Sequence, residues 1–97
     1  MRKIERILAH LGEPYEIVTI DLEEVVYRDL DNGYDFELSG LTRNSKTCTL
    51  YVWKTAPHKE IVGIYANIPV SDLKDVLGHF AYTYRNLAES IRVEREE

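Results

Sequence analysis

The residues to test first for chemistry are three histidines, one cysteine and a surplus of carboxylates. His10, His58 and His79 have no partner at metal-ligand spacing, and no Cys-x-x-Cys or His-Glu-x-x-His pattern occurs. His10 and His79 flank apolar helix positions, and His58 lies in a polar stretch with Pro57 and Lys59. Cys48 alternates in phase with Leu50 and Val52, so it reads as a small buried hydrophobe rather than a reactive thiol. No serine sits in a Gly-x-Ser-x-Gly turn, and no glycine cluster could cradle a phosphate. A catalytic carboxylate pair needs two different environments inside one cleft. Acids spaced along exposed strands do not supply them. The reading is non-enzymatic, with no metal and no cofactor.

Charge is sorted into blocks. Glu13 to Glu37 holds Glu13, Glu16, Asp21, Glu23, Glu24, Asp29, Asp31, Asp35 and Glu37 against one base, Arg28. Leu38 to Lys59 holds no acid and carries Arg43, Lys46, Lys54 and Lys59, with Tyr51 and Trp53 among them. Segregated charge shapes how a small domain meets its partners. The net charge of −5 argues against binding nucleic acid over the whole surface. Cations interleaved with aromatic rings nevertheless resemble a single-strand surface in type. The alternative function is therefore a nucleic-acid-binding hairpin over 43–59 that uses Arg43, Lys46, Tyr51, Trp53 and Lys54.

The elements that position these residues follow from spacing. Ile4, Ile7, Leu8 and Leu11 form a helical stripe over Arg2 to Leu11, ended by Gly12 and Pro14. Tyr15 to Ile20 is a strand. Asp21 to Leu30 fits a helix with a capping-box spacing, or a strand running into the Asn32-Gly33 turn; the strand is favoured. With Asn32 and Gly33 as a two-residue turn, Asp31 faces Tyr34, Arg28 faces Glu37 and Tyr27 faces Leu38. Val25, Tyr27, Tyr34, Phe36 and Leu38 then share a face. Tyr34 to Leu41 is a strand. Thr47 to Lys54 alternates, with Cys48, Leu50 and Val52 on one side and Thr47, Thr49, Tyr51 and Trp53 on the other. Glu60 to Ile68 is a last strand, closed by Pro69. A long helix follows from Ser71 as N-cap to Val93, with Gly78 marking close approach to the sheet. At about 34 Å it outreaches a domain this size, so Leu87 and Ile91 on its last turns suggest a homodimer contact.

The 97 residues then make one domain of α+β class: an antiparallel sheet of about five strands in meander order, with both helices on one face. One cysteine and no span of membrane length point to the cytoplasm. The function expected is a small acidic interaction protein, a regulator or inhibitor, that docks on a protein with a basic surface. Such a format suits an accessory protein of a phage or mobile element. Asp21, Glu23, Glu24, Asp29, Asp31 and Asp35 would steer the encounter, and exposed tyrosines would anchor it. A small-molecule binder is a third class, for which no residue pattern speaks.

Overall fold

Chain order gives α1 (Lys3–Leu11), β1 (Glu16–Ile20), β2 (Glu23–Asp29), β3 (Tyr34–Ser39), β4 (Thr47–Lys54) and β5 (Glu60–Pro69). A 3-10 turn, Val70–Asp72, leads into α2 (Leu73–Glu96). The computed structural model describes residues 1–42 and 44–96, with side chains described up to residue 90 outside position 43. All neighbouring strands pair antiparallel in the order β1-β2-β3-β4-β5. This is the expected α+β meander.

Each helix is shaped by its ends and one apolar stripe. Glu5 reaches back to accept the Arg2 backbone N–H at 3.1 Å, satisfying a donor at the start of α1. Gly12, at φ 75°, closes the helix by donating to the Leu8 carbonyl at 2.8 Å. Ile4 and Ile7 from α1, with Leu73, Leu77 and Tyr84 from α2, pack on Val26, Phe36, Leu38, Leu50 and Val52. Phe36, Leu38, Leu50, Leu73 and Leu77 are fully buried. Each such side chain stabilises the fold by about 1.5–3 kcal/mol relative to exposure. Cys48 is part of this core, and burial pushes its thiol up to about 11.

Two expectations are corrected. Ser71 is not the cap of the long helix. Val70 still donates to the Lys46 carbonyl at 2.9 Å, so the chain leaves the sheet late and the α-helix starts at Leu73. The β2–β3 hairpin is also shifted by one residue. Tyr27 faces Glu37, Arg28 faces Phe36 and Asp29 faces Asp35. The loop takes three residues, because side-chain acceptors compete with the two-residue turn. Asp29 Oδ1 accepts the Asp31 N–H at 2.8 Å, and Asn32 Oδ1 accepts the Tyr34 N–H at 3.2 Å. Leu30 then donates to the Tyr34 carbonyl at 3.0 Å. A one-residue slip moves every β2 side chain to the other face. Arg28 joins the helix side, and Tyr27 joins the uncovered side.

The β1–β2 turn carries a testable cost. Asp21 and Leu22 sit at φ 51° and 68°, between the paired residues Ile20 and Glu23. Leu22 is fully exposed, so its side chain stabilises nothing. Left-handed backbone disfavours a leucine by roughly 1–2 kcal/mol, while glycine loses about 0.4–1 kcal/mol in chain entropy. Leu22→Gly is expected to stabilise the protein by about 0.5–1 kcal/mol. Urea unfolding checks this, as a higher midpoint at unchanged slope.

Candidate functional site

The shifted register assembles a cluster on the face turned away from both helices. Asp35 lies between Asp29 and Trp53, and Glu37 lies between Tyr27 and Tyr51. Residues directly opposite one another point to the same side of a sheet, so all six share that side. Two diagonal hydrogen bonds converge on the β3 strand from its two neighbours. The Tyr27 hydroxyl donates to Asp35 Oδ2, and Trp53 Nε1 donates to Glu37 Oε1 at 3.0 Å. Lys59 places Nζ 5.1 Å from the Trp53 ring centroid and 5.9 Å from that of Tyr27.

The carboxylates are buried under this aromatic and cationic cover. Asp35 is 4% exposed and Glu37 8%, although no helix lies above them. Asp35 Oδ1 is shut off from water and accepts no hydrogen bond among the described residues. Leaving such an acceptor unsatisfied costs about 1–3 kcal/mol. Burial pushes the Tyr27 phenol up from its ordinary value, and its bond to Asp35 adds to the shift. Tyr27 therefore stays a hydrogen-bond donor through neutral pH. In return, the two carboxylates fix the orientation of Tyr27 and Trp53.

Apolar residues extend the cluster toward the sheet edge. Ile61 faces Trp53 and Ile64 faces Tyr51, both on the edge strand β5. Ile64 is 62% exposed and Ile61 43%. On the other flank, Val25 is fully buried on this same face, opposite Val18. Exposed carboxylates bound the face at Glu16, opposite Tyr27, and at Asp29, opposite Asp35. Rigid aromatic rings beside exposed aliphatics, edged with acid, can seat a macromolecular surface.

No family model, curated protein or solved structure matches this chain.

The acids singled out from sequence do not form one patch. Asp21 and Glu23 lie at one end of β2, and Asp29 and Asp31 lie at the other. Glu23 accepts from Ser39 Oγ at 2.9 Å and from the Gly40 N–H at 2.8 Å, so it fastens the end of β3. Glu24 points to the helix side and pairs with Arg2, which also binds Glu5 at 2.9 Å. The hydrogen bond from Arg2 holds the Glu5 carboxyl below its usual range. Asp35 is the buried member described above.

The basic aromatic stretch is divided too. Tyr51 and Trp53 do share a face. Lys54, opposite Tyr34, belongs to the helix side, and Lys46 precedes β4 at its far end. Arg43 lies outside the described residues. The two rings stand over carboxylates, which repel phosphate. Of the dimer contacts, Leu87 is 44% exposed, and the side chain of Ile91 lies outside the described residues.

Sequence reasoning missed Tyr27, Glu37, Ile61 and Ile64 as site residues. The available signal was the pair of Asx side chains, Asp29 ahead of the hairpin loop and Asn32 within it. They favour the three-residue turn that sends Tyr27 to the uncovered face. Among the described residues, no group of three or more His, Cys, Asp and Glu could hold a metal ion. No described helix is long and apolar enough to cross a membrane.

Proposed function

We propose that this protein is a non-catalytic cytoplasmic interaction protein, a regulator or inhibitor, that docks its uncovered sheet face on a partner with a basic surface. The observation that carries this reading is the pair Tyr27 and Trp53, locked over Asp35 and Glu37 beside exposed Ile61 and Ile64. Rings already held by hydrogen bonds lose little conformational freedom on binding. Glu16, Asp29 and the buried acids give the face a negative field that steers cationic partners. Among its named residues, only Lys59 adds positive charge.

Capture from a host lysate at low salt tests the reading with two baits, the wild type and Ile64→Lys. Ile64 is exposed, so the variant keeps the fold while charging the apolar edge. The expected result is a basic protein retained by the wild type, lost with the variant and released by salt. Identical captures from the two baits would sink the proposal. The same reading includes a homodimer through the outer side of α2 around Leu87. An 11.3 kDa species in light scattering at high micromolar concentration counts against that dimer.

A further inference from the structure

A second site lies on the helix side, between α2 and the β2–β3 hairpin. There a cavity of about 310 Å³ is lined by Arg28, Asn32, Gly78, Tyr82 and Arg85, among others. It meets a second one of about 490 Å³ that shares Asn32 and Arg85. Three features of this groove point to a ligand.

The first is charge. Arg28 and Arg85 line one small cavity of a chain with net charge −5, yet neither makes an ion pair among the described residues. The second is an orphan donor. Arg28 lies over the Tyr15 ring at 5.3 Å and gives Nη1 to the Tyr15 hydroxyl at 3.4 Å. Its Nε is shut off from water and has no acceptor among the described residues, so protein groups leave this guanidinium only partly paired. The third is empty space. A Cβ at Gly78 would meet nothing within 4 Å, so this helical glycine is not there for close packing. That corrects the expectation that Gly78 marks close approach to the sheet. A glycine within a helix is unfavourable relative to alanine; here it leaves the groove wall open.

We propose that this groove binds a small carboxylate anion, held by the guanidinium groups of Arg28 and Arg85 against the gap left by Gly78. An oxyanion in the groove would give both guanidinium groups the charge partner that neither has among the described residues, and the planar guanidinium matches a carboxylate in two-bond geometry. Asn32 offers a further amide beside it. The volume stands at the lower end of ligand pockets, which suits a small molecule. Asp31 and Glu89 line the adjoining end. Their charge disfavours a dianion such as phosphate more than a single carboxylate.

Amide NMR of the full chain tests this, with acetate or inorganic phosphate added to about 50 mM at constant ionic strength. Acetate is expected to shift the Asn32 and Gly78 amide signals saturably, with a Kd on the order of millimolar. Arg85→Gln, at an exposed position, should weaken binding about tenfold. Gly78→Ala should weaken it similarly while raising Tm by roughly 4–8 °C, which separates a filled groove from a damaged fold. Three results would each overturn the proposal: no saturable shift at Asn32 and Gly78, equal affinity in Arg85→Gln, or phosphate binding tighter than acetate. None of them bears on the uncovered sheet face, whose test is separate.

Discussion

Trp53→Ala is expected to weaken partner binding at least about 30-fold and to destabilise the free protein by about 2 kcal/mol. Both effects have the same source. Trp53 is half-buried, so its removal loses less than the 3–5 kcal/mol typical of a fully packed tryptophan (roughly). It also strips Glu37 Oε1 of its donor, and Lys59 of one of its two rings. A buried carboxylate that loses its hydrogen bond costs about 1–3 kcal/mol more. Trp53→Phe separates the contributions. It keeps most of the ring area and removes only the Nε1 donor, so binding should fall less than stability does. Because Trp53 is the single tryptophan, unfolding of the variant is followed by circular dichroism rather than tryptophan fluorescence. A folded Trp53→Ala variant that binds within about threefold of wild type would show that the partner docks elsewhere.

The parts of the fold legible in the sequence are those where one physical signal has no rival. The β4 alternation of Cys48, Leu50 and Val52 is strict, and Leu50 and Val52 are fully buried as it requires. The α1 stripe and Gly12 stop agree with the helix observed. Strand β2 was legible as a strand, because Val25, Val26 and Tyr27 outweigh the capping-box spacing. Its register was not. The same residues allow a two-residue Asn-Gly turn or a three-residue turn with Asx acceptors, and the choice between them reverses both faces of β2. Both proposed sites depend on that reversal, since it places Tyr27 beside Asp35 and Arg28 beside the groove under α2.

The acidic block misled for a related reason. A run of carboxylates reads as a solvated surface, and composition cannot show which members fold inward. Asp35 and Glu37 are buried because Tyr27 and Trp53 reach them diagonally across strands. That geometry exists only once three strands are in register. Glu23 and Glu24, adjacent in sequence, end on opposite faces with different tasks. A helical glycine usually signals tight packing, but a Cβ at Gly78 would meet nothing within 4 Å. Tight packing is found instead at Gly63, inside strand β5.

Gly63→Ala is expected to destabilise the protein by about 1–2 kcal/mol, lowering Tm by roughly 4–8 °C for each kcal/mol. A Cβ there would lie 2.8 Å from Tyr65 Cε2 and 2.8 Å from the Tyr84 hydroxyl. Neither neighbour can retreat freely. The two tyrosine hydroxyls are hydrogen-bonded to each other at 2.7 Å. Tyr84 packs against Tyr34 at 5.0 Å and Phe36 at 6.3 Å, and Tyr65 stacks on Phe80 at 4.2 Å. Burial pushes the Tyr84 phenol up, so it remains a neutral donor at neutral pH. Gly63 thus lets α2 bring Tyr84 down onto β5 opposite Val52. Overpacking costs about 1–3 kcal/mol, and the better strand propensity of alanine offsets roughly 0.5–1 kcal/mol. A double-mutant cycle with Tyr84→Phe isolates the clash. Removing the hydroxyl should cost less on the Gly63→Ala background than on wild type, because it relieves one of the two close approaches. Additive effects, or a Gly63→Ala cost below about 0.5 kcal/mol, would mean that α2 is not held to the sheet at this point.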